Sequence, residues 1–101
     1  MVFSGGSYDE VARWLHNFLT SHAKREEPRV EVLLEAGDAR EGRSYGARLS
    51  LGDQTSDLIE FDYRDVADQR GSLAWCRAMA ERTRALARLT AEAAPGSAQA
   101  R

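Results

Sequence analysis

A chain of 101 residues with 43% hydrophobic and 30% charged residues is of the size and composition of one soluble globular domain. Its formal charge of −2 gives no general attraction to nucleic acid or to anionic membrane. One cysteine, Cys76, excludes a disulfide framework within the chain and a cysteine-based zinc site.

The opening MVFSGGSYDE has neither the basic region nor the apolar run of a secretory leader, and no stretch approaches the ~20 apolar residues that cross a bilayer. With a single cysteine, these features predict a reducing, cytoplasmic setting and no membrane partner. Residues 1–6 read as a flexible lead. Ser7-Tyr8-Asp9-Glu10 is a capping box, in which Ser7 accepts from the amide of Glu10 and the Glu10 side chain reaches back. Asp9 and Glu10 also favour the positive end of the helix dipole. Val11, Leu15, Phe18 and His22 then recur at helical spacing, flanked by Trp14 and Leu19. Lys24 and Arg25 suit the helix C-terminus, and Pro28 forbids continuation.

At residue 29 the period changes from 3.6 to 2. RVEVLLEAG, RSYGARLSLG and TSDLIEFDY each alternate apolar with polar positions, which predicts three half-buried strands. GDAREG (37–42) and GDQTS (52–56) carry the glycine and aspartate of hairpin turns. With tight, regular hairpins, Val30 pairs with Leu49, Val32 with Ala47, and Leu49 with Ile59. Arg48 then lies between Glu31 and Glu60 on the outward face, where Leu33 and Leu58 are also exposed. Gly46, outward in the middle strand, signals a bulge or a close approach by another backbone.

Residues 64–72 read as a linker with a single helical turn. A last helix opens at Ser72 and runs to Ala94, where Pro95 and Gly96 end it, leaving 95–101 as a disordered tail. Its apolar side is Leu73, Cys76, Met79, Ala80, Thr83, Leu86 and Ala87, with Trp75 and Leu89 at the margins. The prediction is an α+β domain over residues 7–94 of order α-β-β-β-α. It consists of a three-stranded antiparallel meander with both helices on one face and with Trp14, Phe18, Phe61 and Trp75 between the layers.

Chemistry is not declared. His16 and His22 are six apart, about 240° around the helix, and cannot share a metal. His22 reads as a packing residue and His16 as a solvent-exposed one. Cys76 lies on the apolar side and reads as a small hydrophobe. GxxxxGK[ST], GxGxxG, HExxH and GxSxG are all absent from the sequence. No catalytic residue, cofactor or metal is expected, and an enzyme is the least favoured class.

The charge is unevenly distributed. From 70 to 92, five arginines against Glu81 and Glu92 give +3, while residues 1–63 carry −5. Arg77, Arg84 and Arg88 share a stripe with Glu81, beside Arg82. An Arg- and Ala-rich chain with one lysine and one isoleucine fits a GC-rich genome, and arginine stems cover apolar helix surface well. The expected function is protein binding or homodimerisation, through Arg77, Arg82, Arg84 and Arg88 or through the sheet face around Leu33, Arg48, Leu58 and Glu60.

The alternative is RNA or DNA binding through the same arginines. The element order with a basic last helix resembles, in topology, the double-stranded-RNA-binding domain along residues 7–94. That family has a Gly-Pro-x-His-type loop between its first two strands and a Lys-Lys-x-Ala-Lys cluster opening its last helix. Here those places read GDAREG and GSLAWCRAMA, so no functional residue carries over and the family is not assigned.

Overall fold

In a computed structural model the described residues are 6–93. Three helices, α1 (Tyr8–Glu26), α2 (Tyr63–Gln69) and α3 (Leu73–Ala93), accompany strands β1 (Glu31–Glu35), β2 (Ser44–Leu51), β3 (Gln54–Thr55) and β4 (Ile59–Asp62). The lead up to Gly5 and the predicted tail at 95–101 lie outside the described residues. Helix α1 starts on its capping box: the Glu10 amide donates to Ser7 Oγ at 3.1 Å, and the Ser7 amide donates to Glu10 Oε1 at 3.0 Å. The segment predicted as a linker is α2, capped by Asp62, whose Oδ2 accepts from the Asp65 amide at 3.1 Å. Ser72 opens α3 as predicted, with its Oγ accepting from the Trp75 amide at 3.2 Å.

The sheet is an antiparallel meander in which β3 and β4 follow one another along the same edge of β2. The inward and outward faces are as the alternation predicts, but both registers differ by two residues. Val32 faces Leu49 rather than Ala47, and Ile59 faces Ala47 rather than Leu49. Neither hairpin is tight and regular throughout. Residues 36–43 form a longer loop containing a 3-10 turn, Asp38–Arg40, entered through Gly37 at φ 88. The second hairpin turns tightly at Gly52, φ 60, then carries one extra residue between Thr55 and Ile59, a β-bulge. Ser56 repairs the ladder there: its amide donates to the Leu49 carbonyl at 2.8 Å, and its Oγ accepts from the Leu49 amide at 2.9 Å. A two-residue slip preserves side-chain parity, so the core face is unchanged while every cross-strand pair is different.

The core forms where the buried stripe of α1, Val11, Leu15, Leu19 and Ala23, meets Val30, Val32, Ala47, Leu49, Ile59 and Phe61. Three tyrosines knit its end. The Tyr45 hydroxyl donates to the Tyr8 carbonyl at 2.7 Å, the Tyr8 hydroxyl to the Ser44 carbonyl at 2.6 Å, and the Tyr63 hydroxyl to the Gly6 carbonyl at 2.6 Å. Tyr8 and Tyr45 stack at 4.7 Å. Phe61 is buried in this core, whereas Trp14, Phe18 and Trp75 are half-buried along the seam between α1 and α3. His16 is not simply solvated, because its Nε2 lies 3.1 Å from the Val32 carbonyl oxygen.

Helix α3 turns its predicted side inward, with Met79 and Leu86 half-buried against the core. Its fully buried residues are Ala80, Thr83, Ala87, Thr90 and Ala91, all small. The two threonines satisfy their hydroxyls one turn back, on the carbonyls of Met79 (2.7 Å) and Leu86 (2.8 Å). Leu73, expected on the apolar side, is 72% exposed, and Leu89 is 60% exposed. Small residues let α3 approach its neighbours closely, while Leu86 packs against the core and Leu73 and Leu89 stay outside.

Candidate protein-binding surfaces

The outward sheet face is organised by a residue absent from the sequence-based candidates, Arg40. The 3-10 turn carries its guanidinium back over β2, where it donates to Glu60 in bidentate fashion (2.7 and 3.0 Å) and to Ser44 Oγ (3.0 Å), and it lies 3.7 Å from Glu35. Gly46 makes room for it: a Cβ built there would lie 2.7 Å from Arg40 Nη2 and 3.0 Å from Leu58 Cδ1. The close approach is thus by a side chain and not by another backbone. Arg40 holds the Glu60 carboxyl below its ordinary range, chiefly through the hydrogen bond. Arg48 does not lie between Glu31 and Glu60. It faces Leu33 and pairs with Glu35 at 3.7 Å, while Glu60 faces Gly46 and Glu31 faces Ser50. Leu58 is half-buried beside Gly46, leaving Leu33, 49% exposed, as the large apolar group on this face.

The arginines of α3 differ among themselves. Arg88 pairs with Glu26 of α1 at 3.3 Å. Arg77, Arg82 and Arg84 make no ion pair among the described residues. Arg82 borders a groove of about 300 Å³ between α3 and the start of β4, whose apolar wall is Leu58, Ile59, Ala85, Leu86 and Leu89. On the opposite flank Arg77 and Arg84 border a second groove of about 310 Å³ with Phe18, His22, Leu73 and Cys76. The Cys76 thiol is half-buried and donates to the Arg70 carbonyl at 3.4 Å.

His22 stacks obliquely on Phe18 at 4.6 Å, and its buried Nδ1 has no hydrogen-bond partner. Burial pushes its imidazole below the ordinary value of 6.5, and Arg25 and Arg84 push the same way. A depressed folded-state value means the unfolded chain binds the proton more readily, so the contribution is complete above 6.5 and is lost as pH falls through the folded value. The His22→Gln variant is therefore expected to show a smaller loss of Tm between pH 7 and 5.5 than the parent. An equal loss in both chains would remove His22 as the cause.

Among the described residues no group of three or more His, Cys, Asp or Glu is placed to hold a metal ion, and no helix is long and apolar enough to cross a membrane. The candidate residues therefore fall on two separate surfaces: a sheet face whose charges are already paired, and a helix with three unpaired arginines and two exposed leucines. Comparison with protein-family models, with curated proteins and with solved structures found no match.

Proposed function

We propose that this chain is a small non-enzymatic binding domain that acts by self-association through α3. The observation that carries the reading is the exposure of Leu73 and Leu89 on a helix whose buried residues are alanines and threonines. A monomeric domain gains by burying its leucines first, at roughly 25 cal/mol per Å² of apolar area. Leucines left outside, beside grooves and unpaired arginines, fit a surface completed by another protein. The sheet face is the weaker candidate because Arg40 and Glu60 form a bidentate pair and Arg48 and Arg40 both lie 3.7 Å from Glu35. Phosphate recognition is disfavoured by Glu81, which lies among the arginines of the helix, and by Glu92, which follows them. With one cysteine in the chain, a reducing cytoplasmic setting belongs to the same reading.

The test is the solution mass by light scattering at low and high salt, with the absorbance ratio of the purified sample read for nucleic acid. A dimer free of nucleic acid, reduced to monomer by Leu89→Asp, is the expected result. A monomer at every concentration and salt overturns self-association. A monomer that co-purifies with nucleic acid overturns it in favour of RNA or DNA binding.

A further inference from the structure

The outward side of α3 carries a pattern that specifies more than stickiness. Ala78, Ala85 and Glu92 recur every seven residues, with Arg82 and Leu89 beside them. All but the half-buried Ala85 are exposed. Along one flank of this strip run Arg77, Glu81, Arg84, Arg88 and Glu92, in the sign order plus, minus, plus, plus, minus. Ala78, Ala85 and Leu89 are the small and apolar positions of the strip. Such positions at this spacing are those by which two helices pack side by side, a large residue entering a hole formed by four residues of its neighbour.

The charge order decides between orientations. When two copies of α3 lie antiparallel about a two-fold axis, a flank of one helix meets the same flank of the other, run in reverse. Reversed, the order becomes minus, plus, plus, minus, plus, which sets opposite charges together everywhere except at Arg84, beside its own copy near the axis. Arg77 then faces Glu92 of the second copy, and Glu81 faces Arg88 of the second copy, with both contacts repeated by symmetry. In the parallel arrangement this flank meets the opposite flank of the second copy, where Arg82, Leu86 and Ala93 offer no carboxylate. Sterics select the same antiparallel register to within about one residue: Leu89 is brought opposite the hole made by Ala78, Glu81, Arg82 and Ala85 of the second copy. Ala85 lies at the two-fold axis, where a methyl side chain permits close approach. Arg77 and Glu92 have no ion pair within the described residues, and Arg88 is held at the helix margin by Glu26.

We infer that the partner of α3 is a second copy of this chain, bound antiparallel with Ala85 on the two-fold axis. This rests on the self-association reading and adds its geometry. The isologous contact uses one patch twice and closes at two copies.

Cysteine cross-linking tests the register in a Cys76→Ser background, because a disulfide forms only where Cα atoms come within about 7 Å. The A85C chain is expected to give a covalent dimer on mild oxidation. The A78C chain alone is expected to stay uncoupled, but to couple to E92C when the two are mixed. In charge reversal, R77E and E92R are each expected to raise the dimer dissociation constant about tenfold, and the R77E/E92R double variant to restore it. A dimer by mass in which A85C fails to couple, or in which A78C couples to itself, overturns the antiparallel register and leaves self-association standing. Failure of the double variant to recover does the same. A monomeric parent chain overturns both.

Discussion

Replacing Tyr45 by alanine is expected to cost about 4 kcal/mol, the size of loss found when a large buried side chain is cut back and its cavity does not close. For a domain of this length that lowers Tm by about 15–30 °C, a large fraction of the whole stability. Tyr45 has no solvent exposure, stacks on Tyr8, meets Tyr63 edge-on, and ties β2 to the first turn of α1 through the Tyr8 carbonyl. Removing the ring therefore loosens the sheet, the start of α1 and the approach to α2 together. Thermal unfolding followed by circular dichroism gives the answer, and a Tm within a few degrees of the parent would show that this junction does not hold the fold. Tyr45→Phe separates the ring from the hydroxyl and is expected to cost only about 1 kcal/mol. Burial, then Tyr8 and Tyr63, push the Tyr45 phenol well above its ordinary value of 10.0. Its contribution is accordingly complete below pH 10 and is lost as pH rises through the folded value. The phenylalanine variant should lack that component of alkaline unfolding.

The second large effect is expected at Leu15. Leu15→Ala should cost about 2–5 kcal/mol, because Leu15 is fully buried where α1 crosses the sheet. Leu73→Ala, the same change at another position that the sequence places on an apolar side, should stay within about 0.5 kcal/mol in the isolated chain. Urea denaturation of the two variants measures this contrast. Equal losses would mean that Leu73 is packed in solution, by a part of the chain or by a second copy, and the dependence of its loss on protein concentration separates those causes.

These two leucines show what was legible. Helix α1 could be read closely because local signals agreed with the global packing: the capping box, the apolar stripe and Pro28 all marked the same element. The strand faces were legible for a similar reason, since a period of two fixes parity whatever the pairing. Register was not legible. It depends on how the 36–43 loop folds and on one bulge near Ser56, and neither follows from alternation. Arg40 was hidden by that loop, since a residue between two turn glycines gives no sign that its side chain will return over β2. Gly46 was the one trace of it, a gap in a strand that only something lying close by would require. On α3, helical periodicity found the inward stripe of Met79, Ala80, Thr83, Leu86 and Ala87, but not that Leu73 at its start is left exposed.

The contact between His16 and the Val32 carbonyl has a consequence for behaviour in concentrated solution. Leu49 directs both its backbone groups toward Ser56, so its opposite residue, Val32, directs its own away from β2, to the open side of β1. A row of such groups is a template on which a foreign strand can add, and repeated addition is how fibrils grow. By occupying the acceptor at the centre of that row, an imidazole from α1 shortens the template to fragments on either side. Replacing His16 by alanine is therefore expected to make the five-residue strand EVLLE, apolar at its centre and flanked by glutamates, a readier template for aggregation, read by light scattering of concentrated samples over time.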